Sequence, residues 1–452
     1  MIPFGKYQPD LVGGLDVCNG LIPANGKYLP LAGLAKYSPY AMEGAALSMQ
    51  YFKSTNGLTY TFIGNTKKLC RMDGNFPTDV SKSGGYLTPT TATWQYTAYG
   101  TSGLATNNTS PIQQIANLAS GTFADLTGTP PIARYICMFK DQLFLGSTTE
   151  STVNYPRRVF RSAQGDITDW AVDSATGCGF YDLPSWGQEV TGLIVNGDYL
   201  FVYMNNSIWM LSFIGPPLWY AYNKIYEGTC ATAQGCVANI GNMQNLVLTP
   251  TDVLRISGTT VASIGYGIRS FLNNINHSQY LRHRITNAVD QTRKLVFWSF
   301  VSKDNPGGIP NKLLIYNYEE DRFSVAEDYS TSCIGLRAED SCAAVDPEYY
   351  LSTFTGEPVA SEVEVSEEDM GDVFLVNRVV PHIDTLSGAL TTTVKSRFSL
   401  SGPYQSTQSV MNIKGICNLR ASGKYMKAQF NVTGNHEGFS GYTPTLVKRG
   451  RR

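Results

Sequence analysis

Val190-Thr191-Gly192-Leu193-Ile194-Val195, then Asn196-Gly197, then Asp198-Tyr199-Leu200-Phe201-Val202-Tyr203: this stretch decides the fold. Each flank is rich in β-branched, aliphatic or aromatic residues. Asn-Gly is the pair that best supports the two positive-φ positions of a type I′ turn, so the segment reads as a tight β-hairpin. The chain then runs through Asn205-Asn206 into Ser207-Ile208-Trp209-Met210-Leu211. A third strand following so closely implies an up-and-down antiparallel sheet.

The same unit recurs in both directions. Residues 59–64 and 67–72 flank Asn65-Thr66, and 135–139 and 142–146 flank Lys140-Asp141. Residues 245–249 and 253–256 flank Pro250-Thr251-Asp252, and 294–300 is followed by 312–318 and 322–325. A weaker pair is 332–336 with 349–353. The spacing is roughly 45–55 residues, which four-stranded propeller blades produce. Stacked β-sandwiches are the alternative. The direct passage from hairpin to further strand in the third and fifth repeats favours blades. The expectation is therefore an all-β chain: a six-bladed β-propeller over 46–360, with a Ser/Thr/Gly-rich insertion at 81–130. Pro3, Pro9, Pro23, Pro30 and Pro39 forbid a long helix in 1–45. That segment reads as an extended arm that must borrow a core from its own propeller or from a neighbour. Glu362, Glu364, Glu367, Glu368, Asp369 and Asp372 mark 361–372 as an acidic linker. A C-terminal β-sandwich-like domain is expected over 373–446, and a basic tail over 447–452.

Composition fits an all-β protein with many turns. Of 452 residues, 43 are Gly, 22 Pro and 27 Tyr, and charged residues are only 16%. Low charge with abundant Tyr suits surfaces buried against partners. A net charge of −1 excludes bulk electrostatic binding of nucleic acid, so any DNA contact must be local. The nine cysteines, an odd number without Cys-x-x-Cys, read as buried free thiols of a reducing cytoplasm. The N-terminus lacks the pattern of a signal peptide, and no apolar run is long enough to span a membrane.

Chemistry is sparse. His277, His283, His382 and His436 do not pair at metal-ligand spacing, and Arg282 and Arg284 flank His283, a poor setting for a cationic metal. No nucleophile elbow, phosphate loop or dinucleotide fingerprint occurs, so no cofactor is implied. Residues 161–170 faintly resemble the Asp-box turn of sialidase propellers, which is structural. Arg157, Arg158 and Arg161 form a possible carboxylate-binding cluster, but nothing connects them with a Tyr–Glu nucleophile pair. Lys448, Arg449, Arg451 and Arg452 are candidates for contact with DNA in a channel or with an acidic partner.

Arg158-Val159-Phe160-Arg161-Ser162, with Gly165-Asp166 and Asp169-Trp170, is similar to an "RVFWSxxGDPxDW" segment of phage tail propellers. The 190–211 hairpin follows it, as in those proteins. Gly228-Thr229, Ala231, Val237, Asp252, Ser257-Gly258 and Ile264-Gly265 resemble their next blade. Residues 420–428 resemble their "RxSGRYxRA" strand. The chain thus resembles the tail hub, or nozzle, of podovirus-like phages, also called the packaged-DNA stabilisation protein, over about 135–450. The 1–45 and 81–130 segments have no counterpart. The resemblance implies a structural, non-enzymatic virion tail protein made in the host bacterial cytoplasm. It also implies a homohexameric ring that continues the portal–adaptor channel, bears fibres or spikes, and retains and then conducts double-stranded DNA. A receptor- or carbohydrate-binding tail propeller of sialidase type is the alternative.

Overall fold

A computed structural model describes the chain except residues 54–56, 90, 185–187, 339–340 and 450–452. Its organising element is the predicted hairpin, extended to four strands and repeated. Blade one is Ala46–Lys53, Thr59–Asn65, Leu69–Asp73 and Phe76–Asp79. Blade two is Gln95–Tyr99, Ser102–Thr106, Gln113–Ile115 and Ala124–Asp125. Blade three is Ile132–Phe139, Gln142–Glu150, Val153–Arg161 and Gly179–Asp182. Blade four is Val190–Asn196, Tyr199–Met204, Ser207–Gly215 and Trp219–Glu227. Blade five is Val237–Gly241, Gln244–Leu248, Val253–Ser257 and Thr260–Ser263. Blade six is Thr286–Asp290, Leu295–Phe300, Lys312–Asn317 and Arg322–Ala326. Blade seven is Cys333–Ala338, Ser341–Val345 and Tyr350–Thr353, completed on its outer side by Ala35–Ala41 from near the N-terminus. The first strand of each blade packs against that of the next, and blade seven packs against blade one, so the ring closes.

The Lys140-Asp141 turn follows the sequence, but the deciding hairpin turns one residue later than expected. Asn196 pairs with Tyr199, so the loop is Gly197-Asp198, and of the expected pair only Gly197 has a positive φ, 63°. Lys140 and Asp141 have φ of 48° and 56°, the two left-handed positions of a type I′ turn. Apolar clusters sit between successive blades: Trp94 and Phe62 between one and two, Phe160 and Leu104 between two and three, Phe144 and Leu193 between three and four. Phe297 and Ile334 lie between six and seven, and Ile63 and Leu351 between seven and one. Gly64 shows how tight this packing is. A Cβ there would stand 2.3 Å from the Trp94 ring, so only glycine lets blade two seat on blade one.

Three expectations are corrected. The ring holds seven four-stranded blades among the described residues, not six: six are separate sheets, blade six is part of a larger one, and the presumed 81–130 insertion is itself blade two. Its strands are only two to five residues long, too short for an alternating pattern to betray them. Residues 1–45 lie against the rest of the same chain. Phe4, Leu15, Cys18 and Tyr28 are buried, and Ala35–Ala41 completes a blade. The acidic 361–372 segment is not a linker: it holds strands Ser361–Val365 and Glu368–Asp384, and Glu364 is 5% exposed. Finally, the C-terminal strands do not stand apart. Leu15–Asn19 pairs with both the outer strand of blade six and Ser361–Val365, and the latter pairs with Cys417–Thr433. Blade six therefore continues outward into a lobe containing Glu368–Asp384, Ala389–Arg397, Gln405–Val410, Cys417–Thr433 and Gly438–Lys448.

Candidate functional site

The first strands surround a cavity of about 490 Å³ whose lining includes Gln50, Gln95, Gln234, Asn239, Asn287 and Gln291. The reason for so many carboxamides is local. First strands of neighbouring blades belong to different sheets, and their backbone groups still need partners. Side chains supply them. Gln234 accepts from Leu193 N–H (2.8 Å) and donates to Leu193 O (2.9 Å), joining blade five to blade four. Asn287 donates to the carbonyls of Gly235 and Val237 (3.0 Å each), joining blade six to blade five. Ile334 N–H donates to Thr286 Oγ1 (3.0 Å), joining seven to six.

The charged groups gather at one end, where the first strands begin. Glu189, just before blade four, ion-pairs with Arg282, and Arg134 of blade three stands 3.6 Å from it. Arg134 Nη1 is also 3.4 Å from His283 Nε2. Arg284 is buried and donates to the carbonyls of Ala46 and Ser332 (3.3 Å each), tying blades one and seven together where the ring closes. Burial, and then Arg134 and Arg282, push the His283 imidazole down to about 3, so it is neutral at physiological pH. Arg134 can only donate, so Nε2 accepts and Nδ1 carries the proton. That Nδ1 has no hydrogen-bond partner. His277 is likewise held near 4, by burial and then Lys303, with its Nδ1 2.8 Å from Thr232 Oγ1. Two guanidinium groups, Arg134 and Arg282, thus face the one carboxylate of Glu189, and among the described residues this cluster offers no nucleophile poised beside a base. Among the described residues no three His, Cys, Asp or Glu side chains are placed to hold a metal ion, and no helix is long and apolar enough to cross a membrane.

The residues singled out in the sequence lie elsewhere, and their roles are architectural. Arg158 is clamped by Asp182 (2.7 and 2.8 Å) and Glu150, and its guanidinium lies 3.8 Å from the ring centres of both Tyr155 and Phe180. Phe160 packs on Trp170, whose Nε1 donates to Ile167 O (3.0 Å). Ser162 Oγ accepts from Leu143 N–H (3.0 Å). Gly165 has φ +74°, Asp166 caps Thr168 N–H (2.8 Å), and Asp169 O accepts from Ala163 N–H (3.0 Å). The motif is thus a structural turn between the third and fourth strands of blade three. Arg157, Arg158 and Arg161 do not line the cavity. Arg161 donates to Gly177 O (2.8 Å), and Arg157 to Leu183 O (3.3 Å). In the basic tail Lys448 pairs with Asp372, and Arg449 N–H donates to Val373 O (3.0 Å). Arg451 and Arg452 lie outside the described residues. Sequence reading passed over Arg134, Glu189 and Arg282. The one available signal was the Arg282-His283-Arg284 run in a chain so poor in charge.

No family model matches the chain, and no curated protein does. Solved structures match. BamB from Moraxella catarrhalis is 11% identical, covering 74% of this chain and 92% of that one, with a TM-score of 0.38. The Neurospora crassa Pan2 WD40 domain is 8% identical over 73% of this chain and 96% of that one, TM-score 0.43. The structure of YCF48 bound to D1 peptide is 9% identical over 71% and 97%, TM-score 0.42. All three are β-propellers, and at these identities the likeness is one of fold alone.

Proposed function

We propose that this chain is a structural, non-enzymatic protein of a short-tailed phage tail: a hub or nozzle whose copies form a six-fold ring. In this reading the ring extends the portal–adaptor channel, helps retain packaged DNA, conducts it at ejection and anchors fibres or spikes. The observation that supports it most is where the resemblance falls. Residues 158–170 and 190–211 build the adjoining blades three and four, and 420–428 lies in the lobe strand Cys417–Thr433. These are the parts that give the molecule its shape, and none supplies a reactive group. The cavity inside one propeller has the volume of about 16 waters. DNA would therefore pass beside the propellers, through the ring they form.

The deciding measurement is the symmetry of the tail in a cryo-EM map, with a glycan-hydrolysis assay alongside. A six-fold ring below the portal, with no hydrolysis, supports the hub. A trimeric distal spike that binds host glycan overturns it in favour of a receptor-binding propeller.

A further inference from the structure

Among the described residues, two exposed apolar surfaces stand out, one beside unpaired aspartates and the other beside unpaired basic side chains. The first lies on the rim of blades three and four. The hairpin tip between Ser207–Gly215 and Trp219–Glu227 exposes Phe213, Ile214 and Leu218, at 40%, 52% and 72%. It is braced on the preceding blade, since Trp219 Nε1 donates to Ser174 O (2.8 Å). Beside it stand exposed Val172, Phe180 and Tyr181, the last stacked on Tyr222 at 4.3 Å. Between Ser162 and Asp182 the chain has three Asp and no Lys or Arg, while Asp182 is neutralised by Arg158 and Arg161 lies at the edge of the patch, 3.4 Å from Tyr222. Asp166 and Asp173 of this segment are exposed, and they accept hydrogen bonds from their own turns but form no ion pair among the described residues.

The second surface is the outer part of the lobe. Phe398, Leu400, Val410 and Ile413 are exposed around the strand Gln405–Val410. That strand pairs on one side only, with Ala389–Arg397. Proteins guard such edges with charge, proline or a bulge. This one has none: its sequence is Gln-Ser-Thr-Gln-Ser-Val, and its register is regular. From Ala389 to Ala428 there are six Lys or Arg and no Asp or Glu. Lys414 and Arg420 are exposed and form no ion pair among the described residues. A large apolar patch on a soluble protein generally marks an interface. Here an acidic one and a basic one lie on the same chain.

We infer that these surfaces are the two halves of one head-to-tail contact, the lobe edge of one copy seating on the blade three–four rim of the next. A second copy is the occupant because both complementary surfaces belong to this chain. Their placement also suits closure. The lobe grows from the outer strand of blade six, two to three blades of seven from the rim patch. Two different surfaces make a heterologous contact. Such a contact closes into a ring when the surfaces are inclined to each other, and runs on as a filament when they are opposed. The inference rests on the ring reading proposed above, and adds to it which surfaces meet.

The test uses the purified full-length chain and sedimentation velocity over a concentration series, with thermal melting as the fold control. Ile214→Ser with Leu218→Ser, and separately Lys414→Glu with Arg420→Glu, should each weaken self-association at least tenfold with melting unchanged. Adding Asp166→Lys and Asp173→Lys to the second pair should restore assembly. A wild-type ring that all these variants still form would overturn the assignment of surfaces while leaving the ring reading intact. A wild-type chain that stays monomeric throughout would overturn both.

Discussion

In the propeller a strand meets its partner almost at once: Val190–Asn196 pairs with Tyr199–Met204 across Gly197 and Asp198. In the lobe partners come from opposite ends of the chain. Ile2–Pro3 pairs with Gly438–Lys448, and Leu15–Asn19 with Ser361–Val365. The two regions also hold together differently. Blades meet mainly through apolar clusters and carboxamide bridges, with a few ion pairs such as Arg282–Glu189 and Lys140–Asp198, whereas the lobe encloses a buried carboxylate. Glu364, nearly buried, is gripped by Lys395 and Lys427, and Glu367 by Arg397 and Tyr404. Local pairing lets the blades recur along the chain as separate units. Non-local pairing makes the lobe depend on everything before it. Yet one apolar cluster runs from blades four to six into the lobe through Trp298, Tyr316, Val363 and Phe430, so the two regions share a core.

That shared core can be broken most severely from the N-terminus. Deleting residues 1–45 should abolish the native fold, with an effect exceeding a whole domain's usual 5–15 kcal/mol. The deletion removes the outer strand of blade seven along with Phe4, Leu15 and Tyr28. Circular dichroism and calorimetry of the truncated chain check this, and a truncated chain that melts cooperatively near the wild-type temperature would show the two regions to be independent. Within the core, Trp298 is fully buried and its Nε1 reaches from blade six to Cys236 O of the turn before blade five (3.2 Å). Trp298→Ala should cost about 3–5 kcal/mol by denaturant unfolding, with propeller and lobe lost together. A smaller loss is expected from Glu364→Gln, about 3 kcal/mol, because Lys395 and Lys427 are left without their shared partner. If that substitution melts the lobe in a separate, earlier transition, the core is less continuous than its packing indicates.

The smallest step, taken per unit of pH, is a dependence on acidity. His277 and His283 are held neutral, near 4 and 3, against an unfolded value of about 6.5. Below 6.5 the unfolded chain binds protons that the folded chain does not. Stability should therefore be complete above that pH and fall as the pH drops toward 4, by about 1.4 kcal/mol per unit for each histidine. His283→Phe should flatten the slope in unfolding curves taken between pH 7 and 4. An unchanged slope would mean that the imidazole is already charged in the folded chain.

The local rules explain what the sequence disclosed. Hairpins around Asn196-Gly197 and Lys140-Asp141 announce themselves because turn and strands are adjacent, and six of the seven blades were visible in this way. Blade two was hidden because its strands are short. Its core comes from residues outside any alternating run, such as Trp94, Leu118 and Phe123. The role of 1–45 was hidden because a strand that pairs 300 residues away leaves no local pattern. Glu364 looked like a solvated acid among acids, since a run of charges does not show which member will face two lysines. The charged cluster was missed for a similar reason: Arg134 and Glu189 meet Arg282 only in the folded ring.

The closing of blade seven also sets a timetable. Ala41 pairs with Tyr350, which the ribosome makes 309 residues later (350 − 41). At ordinary synthesis rates of about 5–20 residues per second, the first-made strand waits about 15–60 s for its partner. During that time it is an unpaired strand in a crowded cell. Pro39, in the middle of Ala35–Ala41, withholds one backbone donor and so makes the waiting strand a poorer template for the wrong neighbour. Completion of the ring is thus a late event in this protein's synthesis, and copies cannot dock as finished propellers until it has happened.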